Sequence, residues 1–265
     1  MKQHVFSGDT PPGSFFVAEN GLEVSSPEFC FLQMAGTLSL PRLIELGYEF
    51  CGGYSLPIAG DVKKPDRGFY NRLPLTSIKK LTAFTSRMKG VKGCLKAVRA
   101  LRYILEGSAS PMETKLSILL TLPYKYGGFG FPKPVLNARV APRKADRRTE
   151  QRTEQMAGRR ITGKEYYVCD LYWPDHALAV EYDSTQFHTG SAHITDDSKK
   201  RNALTAMDIK PITVTAQQLY DSREFESVAA VLAKRIGKRL VYKNPGFEAA
   251  HYGLRCSLNI ESGWQ

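Results

Sequence analysis

Residues 168–184 read VCDLYWPDHALAVEYDS. Val168 to Trp173 and Ala177 to Tyr182 are short runs rich in β-branched, aromatic and apolar side chains, and Pro174-Asp175-His176 between them is turn punctuation. The stretch therefore predicts an antiparallel β-hairpin. Three carboxylates interrupt its apolar pattern: Asp170 on the first strand, Glu181 and Asp183 on the second. With the turn centred near Asp175, Asp170 faces position 180 or 181, and Glu181 and Asp183 share a face because side chains alternate along a strand. Crowded carboxylates repel and raise each other's pKa unless a cation is present. That makes the arrangement costly in an empty core and favourable around a hard divalent ion with oxygen ligands. The competing reading is a solvated sheet face that binds nothing.

Downstream, STQFHTGSAHITDDSKKRNAL (184–204) is a polar loop holding His188 and His193, followed by a helix that Thr195 can cap with Asp196 and Asp197 in its first turn. Lys199, Lys200 and Arg201 sit early in that helix. KPITVT (210–215) reads as a further strand, and Glu224 to Lys238 as a closing amphipathic helix. Upstream, SASPMETKLSILLTL (108–122) reads as a helix with Ser110 as N-cap, Pro111 at the first position and Glu113 three residues after the cap. Ser-x-x-Glu is a capping box and accounts for Glu113 without a metal. GGFGFPKPVLNARV (127–140) reads as a loop and strand.

This order resembles the PD-(D/E)xK nuclease superfamily, in particular the branch related to the very short patch repair endonuclease. That branch runs D-x-x-W-P, a short hairpin, V-E-x-D, a His, then D-x-x-R-x-x-x-L; Asp170, Trp173, Pro174, Glu181, Asp183, His188, Asp197, Arg201 and Leu204 match it. The resemblance covers roughly residues 108–240. It implies an α/β restriction-endonuclease-like core, a mixed sheet flanked by helices, that hydrolyses DNA phosphodiester bonds with Mg²⁺, Mn²⁺ substituting, in bacterial defence or repair. It also implies metal ligation by Asp170, Glu181 and Asp183, with a further acid, Glu113, on the helix before the sheet. The chain departs from the family at one position, since the lysine of E-x-K is Asp183 here. Activation of the attacking water would then fall to His188, or to Lys199 from the next helix; His188 as a plain surface histidine is the alternative, and His193 reads as a bystander. Two rivals stand beside the DNA endonuclease. One is a catalytically weak DNA-binding regulator or antitoxin-like module on the same fold; the other is an RNA-directed nuclease.

Charge points to a polyanionic partner independently. The net charge is +11, and residues 63–102 hold twelve Lys or Arg against one acid while residues 139–164 hold nine against three. Such segregation is the footprint of a phosphate-backbone binder, with anionic lipid or mere solubility as the other readings. In the second block Arg143, Lys144, Arg147 and Arg148, like Lys199, Lys200 and Arg201, would grip phosphates without reading sequence.

The five cysteines lack any CxxC pair and read as reduced thiols, with Cys169 alternating away from Asp170. No apolar run reaches the roughly 20 residues of a membrane span and the first residues are too polar for a signal peptide, so a cytoplasmic protein is expected. In the N-terminal part SFFVA (14–18) reads as a strand and 26–36 and 40–52 as short helices. Leu75 to Met88 and Val91 to Glu106 read as helices whose apolar stripes, Ile78, Leu81, Phe84 and Leu95, Val98, Leu101, Leu105, belong to a core. The expected organisation is a mainly helical N-terminal domain (1–107) that could dock a protein partner, a nuclease-like domain (108–242), and a tail (243–265) lying loosely on the surface.

Overall fold

The computed structural model describes residues 6, 9–18, 21–56, 70–141, 166–183, 191–240 and 245–260, except for the side chains of 191–196 and 245. The chain divides into two compact units, Met1–Ile118 with Ala250–Asn259, and Leu119–Ala249 with Ile260–Gln265.

In the first unit β1 (Phe15–Val17) and β2 (Glu23–Ser25) form an antiparallel pair, followed by α1 (Pro27–Ala35), α2 (Leu40–Phe50), α3 (Ile78–Arg87) and α4 (Cys94–Leu101). Ser26 starts α1 by accepting from the Phe29 N–H, and Pro27 suits its first position. Phe29, Phe31 and Leu32 of α1, Leu43, Ile44 and Tyr48 of α2, and Leu81 and Phe84 of α3 are buried together with Ala97 and Ala100 of α4. α5 (Pro111–Thr121) follows, and its Thr114 and Ser117 hydroxyls bond the Tyr54 and Tyr48 phenols at 2.8 and 3.0 Å.

The second unit is built on a four-stranded sheet in the order β3 (Val135–Val140), β4 (Tyr167–Trp173), β5 (Leu178–Asp183), β6 (Lys210–Thr215). The first three strands are antiparallel, whereas β5 and β6 run parallel. A parallel neighbour requires a crossover, and α6 (Ser191–Ala206) supplies it. Thr215 then caps α7 (Ala216–Tyr220) in a capping box and Asp221 caps α8 (Ser222–Ile236); α9 (Pro245–Ser257) follows, its residues from Ala250 onward belonging to the first unit. Cys169, Ala179, Leu204 and Ile209 form one buried cluster; α8 buries Phe225, Val228, Ala229 and Leu232, with Phe129 packed on Phe225.

The β4–β5 hairpin, β6 and the helix before the sheet form where the pattern placed them. Four expectations fail. α6 starts at Ser191, not after a Thr195 cap, because nothing between Gly190 and Thr195 breaks a helix and a cap residue is only a preference. Within the expected loose tail Pro245–Ser257 is helical, since Phe247, Leu254 and, just past its end, Leu258 recur on one face and are buried. α3 and α4 are shorter than expected, bounded by Ser77 and by Gly90 and Gly93 at φ +84° and +90°. Leu95 and Val98 are 84% and 40% exposed, and α4 buries Cys94, Ala97 and Ala100 instead. Small residues prevail there because the approach is close: a Cβ on Gly93 would lie 2.6 Å from the Gly36 nitrogen.

One glycine offers a test of the second unit. A Cβ on Gly128 would sit 2.1 Å from the Leu122 carbonyl oxygen, where backbone must move to admit it. Gly128→Ala is expected to cost about 1–3 kcal/mol and lower the melting temperature by several degrees. An unchanged melting curve would show that this turn is not packed so tightly.

Candidate active site

The register decides which acids meet. Leu171 pairs with Val180, Tyr172 with Ala179 and Trp173 with Leu178, so one step further Asp170 lies across from Glu181. There the ladder ends, and the Tyr182 N–H donates to the Asp170 carboxylate at 2.8 Å rather than to a β4 carbonyl. On the other side of β4, Ala138 pairs with Cys169 and Leu136 with Leu171, while Asn137 between them is left-handed at φ +47°. Regular pairing thus lapses on both sides of Asp170, as it commonly does where a side chain is re-aimed at a functional site.

From α6, Lys200 donates to Glu181 Oε2 at 2.5 Å, with 29% of the lysine and 17% of the glutamate side chain exposed. Glu181 Oε1 is buried and no N–H or cation meets it, with the Cys169 thiol and the Asp170 carboxyl beside the glutamate. Burial and then the Glu181 charge push Asp170 up to about 7, against the pull of the Tyr182 N–H and Lys200. Glu181 is raised by burial, which outweighs Lys200. Cys169 is pushed up to about 12 by burial and by the Glu181 charge. Buried with Ala179 and facing Glu181, the thiol lies with the acids and does not alternate away from them, because the ladder stops at Leu171.

The pair opens into a cleft of about 270 Å³ that Asp183, Asp197, Lys200, Arg201 and Thr213 also line. Arg201 is steadied by donating to Thr213 Oγ1 at 3.3 Å. Asp183 shares the cleft as alternation predicts, yet among the described residues no group of three or more His, Cys, Asp or Glu is arranged for a metal ion.

Lys199, expected to reach in from the helix, is exposed, and the lysine bonded to Glu181 is Lys200, read from sequence as a phosphate contact. A signal for this was present. Asp197, Lys200, Arg201 and Leu204 fall at i, i+3, i+4 and i+7 on one helical face, and Leu204 is buried, so that face meets the sheet and Lys199 turns away. Glu113 is buried on α5, where its Oε2 accepts from the Ala109 N–H at 3.0 Å and its own N–H donates to Ser110 Oγ at 3.2 Å. Ser110 thus caps α5 and the Glu113 carboxylate closes on the N–H before the cap, which accounts for this acid without a metal. His188 and Arg143, Lys144, Arg147 and Arg148 lie outside the described residues.

Burial of the pair has a pH signature. The ordinary value for Asp170 is 3.8 and the folded value about 7, so the protonated carboxyl favours the fold, fully below about pH 4, and this stability is lost as pH rises through 7. In metal-free buffer the melting temperature is expected to fall by several degrees between about pH 5 and about pH 8, and Asp170→Asn to remove most of that fall. A flat profile for the wild type would mean that the pair ionises without penalty.

No protein-family model matches the sequence, and neither the curated proteins nor the solved structures give a match. Among the described residues no helix is long and apolar enough to cross a membrane.

Proposed function

We propose that the second unit is a Mg²⁺-dependent endonuclease, on a restriction-endonuclease-like core, that hydrolyses phosphodiester bonds of DNA in bacterial defence or repair. The observation that carries this reading is the pair of carboxylates on neighbouring strands, sharing a cleft in which a buried Glu181 oxygen is met by no N–H or cation. Such an oxygen costs about 1–3 kcal/mol, and a hard divalent ion with oxygen ligands relieves that cost. Asp170 and Glu181 would hold the ion, with Asp183 in support. When bound, Mg²⁺ lowers the pKa of a water and stabilises charge on the phosphate, and Mn²⁺ can replace it. Lys200 carries donors at Nζ that can orient the attacking water or a phosphate oxygen. Arg201 keeps guanidinium N–H groups beyond the one used on Thr213 for a non-bridging oxygen. His188 is the other candidate for water activation.

A second reading, a catalytically weak DNA-binding regulator, is favoured by Asp183 at the strand position of the motif lysine and by the Lys200 ammonium being tied to Glu181. The test is incubation of the full chain with supercoiled plasmid, linear duplex, single-stranded DNA and RNA, each with Mg²⁺, Mn²⁺ or EDTA. Metal-dependent DNA cleavage is expected. Binding without cleavage of any substrate selects the regulator, and cleavage of RNA alone selects an RNA-directed nuclease.

A further inference from the structure

From Ile78 to Arg102, across α3, the turn after it and α4, the chain carries eight lysines and arginines and no carboxylate. Lys96 is used internally, donating to the Leu38 carbonyl at 2.7 Å. The other seven are exposed, and among the described residues none of them makes an ion pair. The fold itself gives no reason for this charge. Lys79 and Lys80 occupy the first turn of α3, the end at which the helix dipole disfavours cations, and neither α3 nor α4 has an acid in its first turn. Two carboxylates stand near this end, both engaged: Glu106 accepts from the Ile78 N–H at 2.6 Å, and Glu28 accepts from the Thr76 hydroxyl. Arg87 lies over the Phe84 ring at 5.4 Å. Thr82 and Ser86 stand exposed among the cations.

We propose that this surface of the first unit binds the phosphate backbone of double-helical nucleic acid. Its charge is complementary, unopposed along 25 residues of chain, and the Thr82 hydroxyl is a donor of the kind that accompanies Lys and Arg on phosphates, whereas the Ser86 hydroxyl donates to the Ala83 carbonyl at 2.8 Å. A lipid surface fits less well, because a helix lying on a membrane buries a continuous apolar face beneath its charges. The outward side of α3 is Lys79, Lys80, Thr82, Ala83 and Ser86, with no large apolar residue, and on α4 the exposed Leu95 and Val98 share their side with Arg99 and Arg102 and form no continuous apolar face. The proposal does not rest on the carboxylate cleft being catalytic.

The test is fluorescence anisotropy of the full chain on a short DNA duplex in EDTA, titrated from 50 to 200 mM salt, a range in which about six phosphate contacts lose roughly a thousandfold in affinity. Lys79→Gln/Lys80→Gln/Lys92→Gln/Arg99→Gln is expected to make the slope of log affinity against log salt shallower by about 3–4 and to weaken binding at least about tenfold at low salt. A matched variant on the second unit, Lys210→Gln/Arg223→Gln/Lys234→Gln/Arg235→Gln, should change the slope by less than about 1. Lys79→Gln/Lys80→Gln alone should give about half the first effect and covers the case in which the quadruple variant melts early. Equal effects from the two quadruple variants would overturn the proposal, since net charge would then suffice, and so would an unchanged slope. Loss of binding to phosphatidylserine vesicles with duplex binding intact would overturn it in favour of a membrane. Duplex RNA run alongside identifies which double helix is preferred. A protein that cleaves nothing with Mg²⁺ but shows the slope change refutes the nuclease reading and leaves this one standing.

Discussion

Glu181→Ala is expected to abolish both DNA cleavage and the rise in melting temperature that Mg²⁺ or Mn²⁺ gives the parent protein. The residue joins the two sides of the cleft: across from Asp170, bonded to Lys200, and with one buried oxygen that no N–H or cation meets. Loss of several kcal/mol of charge stabilisation corresponds to a rate loss of about 10³-fold or more. An ion present at 100 times its Kd and bound only by the native state stabilises it by about 2.7 kcal/mol, an effect of several degrees in melting temperature that the variant should lack. Without metal the variant should melt no lower than about its parent near pH 8, because one of two repelling carboxylates is gone. Equal Mn²⁺ binding by the wild type and by Asp170→Ala/Glu181→Ala, read by calorimetry, would put the metal elsewhere.

The second large effect separates the neighbouring lysines. Lys200→Ala should slow cleavage by about 10²- to 10⁴-fold, the range for losing one positioned proton-transfer or orienting group, while Lys199→Ala costs less than about threefold. The reason is rotational: successive residues on a helix point about 100° apart, and the face that carries Leu204 into the cluster with Cys169 and Ala179 carries Lys200 to Glu181 and Lys199 to solvent. A reversed ranking would mean that α6 turns when substrate binds. If His188→Ala gives the large loss and neither lysine does, the histidine is the base, and the rate should rise with pH through about 6 to 7.

The β4–β5 hairpin, β6 and α5 were legible in the chain, because alternation, turn residues and a capping box are local signals. The facing of Asp170 and Glu181 was legible within one residue for the same reason: turn position limits register. The C-terminal helix was missed although Phe247, Leu254 and Leu258 carry its period, the glycines around them reading as a loose tail. The stripe of Leu95 and Val98 was misread because hydrophobicity alone favours large residues inside, whereas the close approach of Gly93 to α1 admits only small ones.

By itself, then, the sequence determined the strands of the second unit, the helix before the sheet and the pair of acids brought opposite each other, since each follows from residues a few positions apart. The partners of those acids were decided by tertiary structure. Whether Lys199 or Lys200 meets Glu181, and whether Cys169 points with or away from it, depends on the rotation of α6 over the sheet and on a ladder that stops one residue early. Both are set by packing between segments distant in the chain: the spacing along α6 groups Lys200 with Leu204 on one face, but only the packed sheet brings that face to Glu181.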